Sequence, residues 1–200
     1  MTRTLGRLYL LFTPELCAGE PWETLEQALL GGVDMVQWRV SRPDPAGIAR
    51  CLYVCRSHGV PVLVNDQVDL AAQLGADGAH VGQKDMPAGK ARKKLRGQFL
   101  GVSTHDLEQL EAAAEADYVG FGPCFPTETK GYQTGLAREQ IAAAAAESRV
   151  PLYAIGGIHS RVLPILQDLG VERIAVSRAV LQAPRPRDAA ARLRRILTGS

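Results

Sequence analysis

The sequence predicts an α/β fold, a single-domain (β/α)8 TIM barrel over residues 1–200, and three observations predict it. Short apolar runs alternate eight times with amphipathic helical stretches. Strands buried on both faces read as continuous apolar runs, and right-handed β-α-β crossovers join them into a parallel sheet that eight units close. The chain has 200 residues, enough for one core and, with short loops, for eight such units. No Gly-x-Gly-x-x-Gly follows the first apolar run, which disfavours a doubly wound open sheet.

The strands are placed at Leu8–Thr13, Met35–Val40, Val60–Asn65, Gly78–Val81, Phe99–Ser103, Tyr118–Phe121, Leu152–Ile155 and Arg173–Val176. Between them, Pro21-Trp22 opens a helix whose stripe is Trp22, Leu25 and Leu29, and Gly31-Gly32 ends it. Asp44-Pro45 caps the next, with Ile48, Cys51, Leu52 and Cys55 facing inward. Val68 to Leu74 ends at Gly75, and further helices are expected near 88–95, 106–114, 138–146, 160–169 and 188–197. Gly32-Val33-Asp34, Gly75-Ala76-Asp77 and Gly170-Val171-Glu172 each stand just before a strand, which gives them a structural role at the turn.

Composition narrows the function classes. A net charge of +2 and no basic block interleaved with aromatics argue against nucleic acid. No apolar run reaches membrane-spanning length and no signal peptide is visible, so a cytoplasmic protein is expected. Cys17, Cys51, Cys55 and Cys124 lack metal spacing and read as reduced thiols.

In a barrel, polar residues just after the strands converge on one rim. Alternation puts Gln37 and Arg39 on one face of the second strand. Asn65-Asp66 and Asp85 follow the third and fourth strands, so the two aspartates can approach one ion; two carboxylates with substrate phosphates suit Mg²⁺. Either aspartate alone reads as a helix cap; the pair facing Arg39, Lys130 and Asn65 reads as metal ligands. Arg39, Lys130, Ser103, Thr127 and Thr129 hold more donors than acceptors, as an anionic ligand requires. Gly157, with Gly156 beside it, and Ser177-Arg178 before a short helix form a second anion position. His80 and His105 read first as hydrogen-bonded wall residues.

These motifs together resemble the thiamine phosphate synthase family. The likeness rests on Val36-Gln37-Trp38-Arg39, Val64-Asn65-Asp66-Gln67-Val68-Asp69, Gly78-Ala79-His80-Val81-Gly82-Gln83-Lys84-Asp85, Gly101-Val102-Ser103-Thr104-His105, Gly122-Pro123 through Thr127-Glu128-Thr129-Lys130, and Ala154-Ile155-Gly156-Gly157-Ile158, in that order over nearly the whole chain. The resemblance implies a Mg²⁺-dependent transferase of alkyl or aryl groups in thiamine biosynthesis. It would join 4-amino-2-methyl-5-hydroxymethylpyrimidine diphosphate to 4-methyl-5-(2-phosphoethyl)thiazole, or its carboxylated form, giving thiamine phosphate and diphosphate. It implies Gln37, Arg39, Ser41, Asn65, Ser103 and Lys130 as pyrimidine diphosphate ligands, with Arg39, Lys130 and Ser103 catalytic. Asp66 and Asp85 would hold Mg²⁺. Thr127, Thr129, Gly157, Ser177 and Arg178 would hold the thiazole phosphate. The partners implied are these small molecules, with no nucleic acid or membrane and with a homo-oligomer allowed.

Two positions depart from the family pattern. Ser41 stands where the family carries lysine, with Arg42 beside it, and Ser177-Arg178 adds a cation at the eighth strand. The same family contains a thiazole tautomerase branch, an isomerase, in which the aspartate pair tends to be lost; retention of Asp66 and Asp85 favours the synthase. A catalytically silent phosphate-binding barrel is the reading from another class, and Ser41 is its support.

Overall fold

In a computed structural model, residues 5–127 and 133–199 are described. Strands β1 (Leu8–Phe12), β2 (Met35–Trp38), β3 (Val62–Asn65), β4 (Gly78–Val81), β5 (Phe99–Thr104), β6 (Tyr118–Phe121), β7 (Leu152–Ile155) and β8 (Arg173–Val176) form a closed barrel in sequence order. Every pairing is parallel, and β8 returns to β1 through Leu8–Ile174, Tyr9–Ala175 and Leu10–Val176. The strands match the expected runs to within two residues at each end.

The helices follow the expected order: α1 (Pro21–Leu30), α2 (Pro45–Ser57), α3 (Val68–Gln73), α4 (Ala88–Leu95), α5 (Leu107–Ala112), α6 (Arg138–Glu147), α7 (Leu163–Asp168), the short α8 (Arg178–Leu181) and α9 (Pro186–Thr198). Asp44 caps α2 by accepting from Gly47 N at 2.9 Å. The α7 helix is shorter than the expected 160–169, because Val162 precedes it and Pro164 must sit in its first turn, where its missing N–H costs nothing. Asp106 caps α5 by accepting from Gln109 N at 2.8 Å and so stands outside the helix.

Alternation along each strand divides the core in two. Outward residues such as Leu10, Val36, Val64, Ala79 and Ile174 join the helices in one large buried cluster. Inward residues form a smaller one in the lumen, built from Tyr9, Leu11, Met35, Leu63, Tyr118, Tyr153 and Ala175. The three tyrosine rings meet edge to face, with centroids 5.3 to 5.7 Å apart, the arrangement their ring quadrupoles favour. This layer plugs the barrel and forms the floor of the space above it.

The acidic residues before the even strands have a specific task. Asp34 accepts from Leu8 N at 2.8 Å, Asp77 from Val62 N at 3.0 Å and Asp117 from Leu100 N at 2.7 Å. Each carboxylate thus satisfies the first N–H of the preceding odd strand, or one next to it, at the amino end of the barrel, where the sheet ladder offers no partner. Glu172, before β8, differs: it pairs with Arg173 at 3.1 Å. These three aspartates, two of them in Gly-x-Asp turns, therefore hold the end of the barrel opposite the cavity described next.

Candidate active site

A cavity of about 530 Å³ opens at the carboxyl ends of the strands. Gln37, Arg39, Asn65, Asp66, Asp85 and Ser103 line one part of its wall, and Thr127, Gly157, Ser177 and Arg178 line another. The rim rule thus brings together residues from β2 to β8 that are up to 141 positions apart (Gln37 to Arg178). Ser41 is not among the lining residues and stands on the exposed turn after β2. Thr129 and Lys130 lie outside the described residues.

The two aspartates adjoin each other without capping helices. The residue before α3 is Gln67 and that before α4 is Pro87, and neither helix takes a side-chain cap. Asp66 sits at φ 58°, in the left-handed region that a non-glycine residue rarely adopts. Its backbone N–H donates to His80 O at 2.8 Å and its carboxylate accepts from Asn65 Nδ2 at 2.5 Å. Asp85 Oδ2 accepts from Gly82 N at 2.8 Å, which folds the β4 loop back on itself. Partial withdrawal from water, then the adjoining Asp85 carboxyl, push the Asp66 carboxyl from 3.8 up to about 6, against the attraction of Arg39. Two adjoining carboxylates, on loops held by their own backbone bonds, form a donor set of hard oxygens that fits a small divalent cation. No cluster of three or more such ligands occurs among the described residues, so the remaining positions around a cation would fall to substrate oxygens and water.

Gly156 and Gly157 carry φ of 96° and 64°. A Cβ on Gly157 would lie 2.5 Å from Pro126 O and 2.7 Å from Phe125 Cβ. These glycines therefore admit the loop after β6 against the end of β7, and both also line the cavity. Cys124 N to Ile155 O at 2.8 Å and Phe125 N to Gly156 O at 3.1 Å tie the two loops together.

Both histidines are hydrogen-bonded wall residues, as expected from the sequence. His105 Nδ1 lies 2.5 Å from Gly122 O; a carbonyl only accepts, so Nδ1 carries the proton there. His80 bridges Tyr118 Oη at 3.0 Å and Ser103 Oγ at 2.8 Å. Sequence reasoning missed Tyr9 and Tyr153, which line the cavity, and Tyr118, which packs beneath it in the lumen. Their inward register was the available signal, since Tyr9 falls two positions before Leu11 and Tyr118 two before Gly120.

The description "Thiamine monophosphate synthase" belongs to the family whose model matches residues 8–180. The chain belongs to that family. It is 43% identical over 205 residues to the thiamine-phosphate synthase of Thermus thermophilus, covering 98% of each chain. It is 38% identical to that of Mycobacterium tuberculosis, over 98% of this chain and 96% of the relative. Among solved structures, thiamine phosphate pyrophosphorylase from Pyrococcus furiosus superposes with a TM-score of 0.86 at 29% identity, over 96% of each chain. A 3-hexulose-6-phosphate synthase superposes at 0.72 with 20% identity, which shows the shared barrel alone.

Proposed function

We propose that this protein is a thiamine phosphate synthase. It condenses 4-amino-2-methyl-5-hydroxymethylpyrimidine diphosphate with 4-methyl-5-(2-phosphoethyl)thiazole, through residues 1–200 acting as one barrel domain. The observation that carries the reading is the adjoining pair Asp66 and Asp85 facing Arg39 in the rim cavity of a member of this family. A second reading as an isomerase has no observation in its favour.

In the reaction, the bond between the pyrimidine methylene carbon and the diphosphate oxygen breaks, and the electron pair leaves with the diphosphate. The thiazole nitrogen then gives its lone pair to the methylene carbon. No proton moves and no protein nucleophile is required. Negative charge grows on the departing oxygen, so a positioned cation lowers the barrier. Arg39, held at the rim after β2 with its backbone N–H on Phe12 O at 2.9 Å, supplies one such charge. Lys130 supplies a second. Asp66 and Asp85 would hold Mg²⁺, which would supply charge neutralisation for the departing diphosphate. Asn65 orients Asp66, and Gln37 and Ser103 contact the pyrimidine. Thr127, Thr129, Gly157, Ser177 and Arg178 anchor the thiazole phosphate, bringing its nitrogen to the methylene so that positioning contributes much of the rate. Ser41, where the family carries an ammonium, would approach the diphosphate only from the exposed turn outside the cavity wall.

The test is direct. Purified protein with both substrates and Mg²⁺ should yield thiamine phosphate and diphosphate, followed by chromatography. No product from a folded protein that binds either substrate would overturn the reading.

A further inference from the structure

The lumen holds a hydrogen-bonded chain that runs from Gln37 to Ser103. Gln37 Nε2 donates to Tyr9 Oη at 2.7 Å, and Tyr9 Oη meets Tyr118 Oη at 2.8 Å. Tyr118 Oη meets His80 Nδ1 at 3.0 Å, and His80 Nε2 meets Ser103 Oγ at 2.8 Å. A phenol has one proton, and with Gln37 Nε2 donating to Tyr9 the sense that gives every proton of the chain an acceptor runs from Gln37 to Ser103. Tyr9 receives from Gln37, so its own proton goes to Tyr118. The proton of Tyr118 then goes to His80 Nδ1, which leaves the imidazole proton on Nε2, directed at Ser103. Ser103 Oγ accepts, and its own O–H is free to donate into the cavity.

Two features keep the chain in this sense. Burial pushes the phenols of Tyr9 and Tyr118 up, so both keep their protons. Gly101 and Gly120 border the imidazole closely: a Cβ on Gly101 would lie 2.5 Å from Nδ1, and one on Gly120 3.4 Å from Cε1. The ring is thus seated between two strands that have no side chain at that level.

We infer that Tyr9, Tyr118 and His80 are positioning residues that make Gln37 Oε1 a fixed acceptor and the Ser103 hydroxyl a fixed donor at the cavity wall. This inference rests on the proposed synthase reading for its substrate. An aminopyrimidine offers both counterparts, an amino N–H for Gln37 Oε1 and a ring nitrogen lone pair for the Ser103 hydroxyl. A 4-oxo pyrimidine in its lactam form presents the reverse, a carbonyl beside a ring N–H. The relay therefore selects amino over oxo pyrimidine diphosphates, because a reversed edge leaves buried polar groups unpaired.

The experiment has two arms on the full chain. In the first, ¹⁵N-histidine labelling reads the His80 tautomer, assigned by its loss in His80→Gln. The expected result is a bare Nδ1 and a protonated Nε2 in wild type, and a mixture of tautomers in Tyr118→Phe. In the second, kcat/KM is measured for the amino substrate and for its 4-oxo analogue. Tyr118→Phe should cut the amino-to-oxo ratio by about tenfold, the size of one lost hydrogen bond. Tyr9→Phe makes the same comparison should Tyr118→Phe fail to fold. A proton on Nδ1 in wild type, or an unchanged ratio in a folded variant, overturns the relay. A wild type that makes no thiamine phosphate overturns the synthase reading instead, while the tautomer still decides the relay.

Discussion

Asp66→Asn should make the metal-free protein more stable and catalytically inactive at once. The Asp66 carboxyl is pushed from 3.8 up to about 6 by partial burial and by Asp85. A group whose folded-state value is raised resists ionisation in the folded state. Its cost is therefore absent below about pH 3.8 and complete above about pH 6. Taken in full, that displacement amounts to about 3 kcal/mol, but Asp66 is open to solvent at the rim, so screening reduces it to about 1 kcal/mol. Asparagine removes the charge with almost no change of shape, tolerates φ 58°, and still offers an oxygen to Asn65 Nδ2. For a domain of this size the gain is a rise of about 2–4 °C in Tm at pH 7.5. It should disappear at pH 4. Differential scanning calorimetry in chelator, at both pH values, measures it. Mg²⁺ with inorganic diphosphate should raise the Tm of wild type and leave the variant unmoved. A Tm at or below wild type at pH 7.5 would refute the charge argument, and retained Mg²⁺-dependent turnover would refute the ligand role.

Further expectations concern the floor, the lumen and the altered rim position. Gly101→Ala places a methyl 2.1 Å from Tyr118 Cζ, so overpacking should cost about 1–3 kcal/mol and lower the Tm by several degrees; an unchanged melting curve would contradict the lumen packing. Asp117→Ala strands Leu100 N and removes the carboxylate from Arg92, which keeps the Glu115 and Gln98 carbonyls, and should lower stability by about 1–3 kcal/mol. Turnover per folded molecule should stay at the wild-type value, because Asp117 lies at the opposite end of the barrel; altered kcat would disprove that separation. Ser41→Lys restores the family's ammonium near the rim and should lower the KM for the pyrimidine diphosphate by about threefold, as an exposed charge contact allows. A KM equal to wild type would show that this turn stays clear of the diphosphate.

The sequence alone determined the barrel, because the information is local. Each strand is a short apolar run and each helix has its own stripe and stops, so β4, β6, β7 and β8 begin and end where the residues indicate. The rim residues were legible for the same reason: in a closed parallel barrel the residue after each strand has one place to go, and Arg39, Asn65, Asp66, Asp85 and Ser103 do meet around one cavity. The Gly-x-Asp repeats announced a structural role, though the bond from Asp77 to the start of β3 needed the register of neighbouring strands to be seen.

Tertiary structure decided what depends on which side chains touch. Residue types left Asp66 and Asp85 open between caps and a pair; the backbone at φ 58° and the two loop turns make them a pair. Gly156 and Gly157 read as an anion position, and the folded chain shows that they also admit the loop after β6. Tyr9 and Tyr118 are 109 residues apart and look like ordinary strand tyrosines, and only closure of the barrel brings their hydroxyls to 2.8 Å. Propensity and patterning act over a few residues along the chain, whereas the direction of a hydrogen-bonded chain is set by contacts across five strands. The rim could therefore be read from sequence, and the wiring beneath it could not.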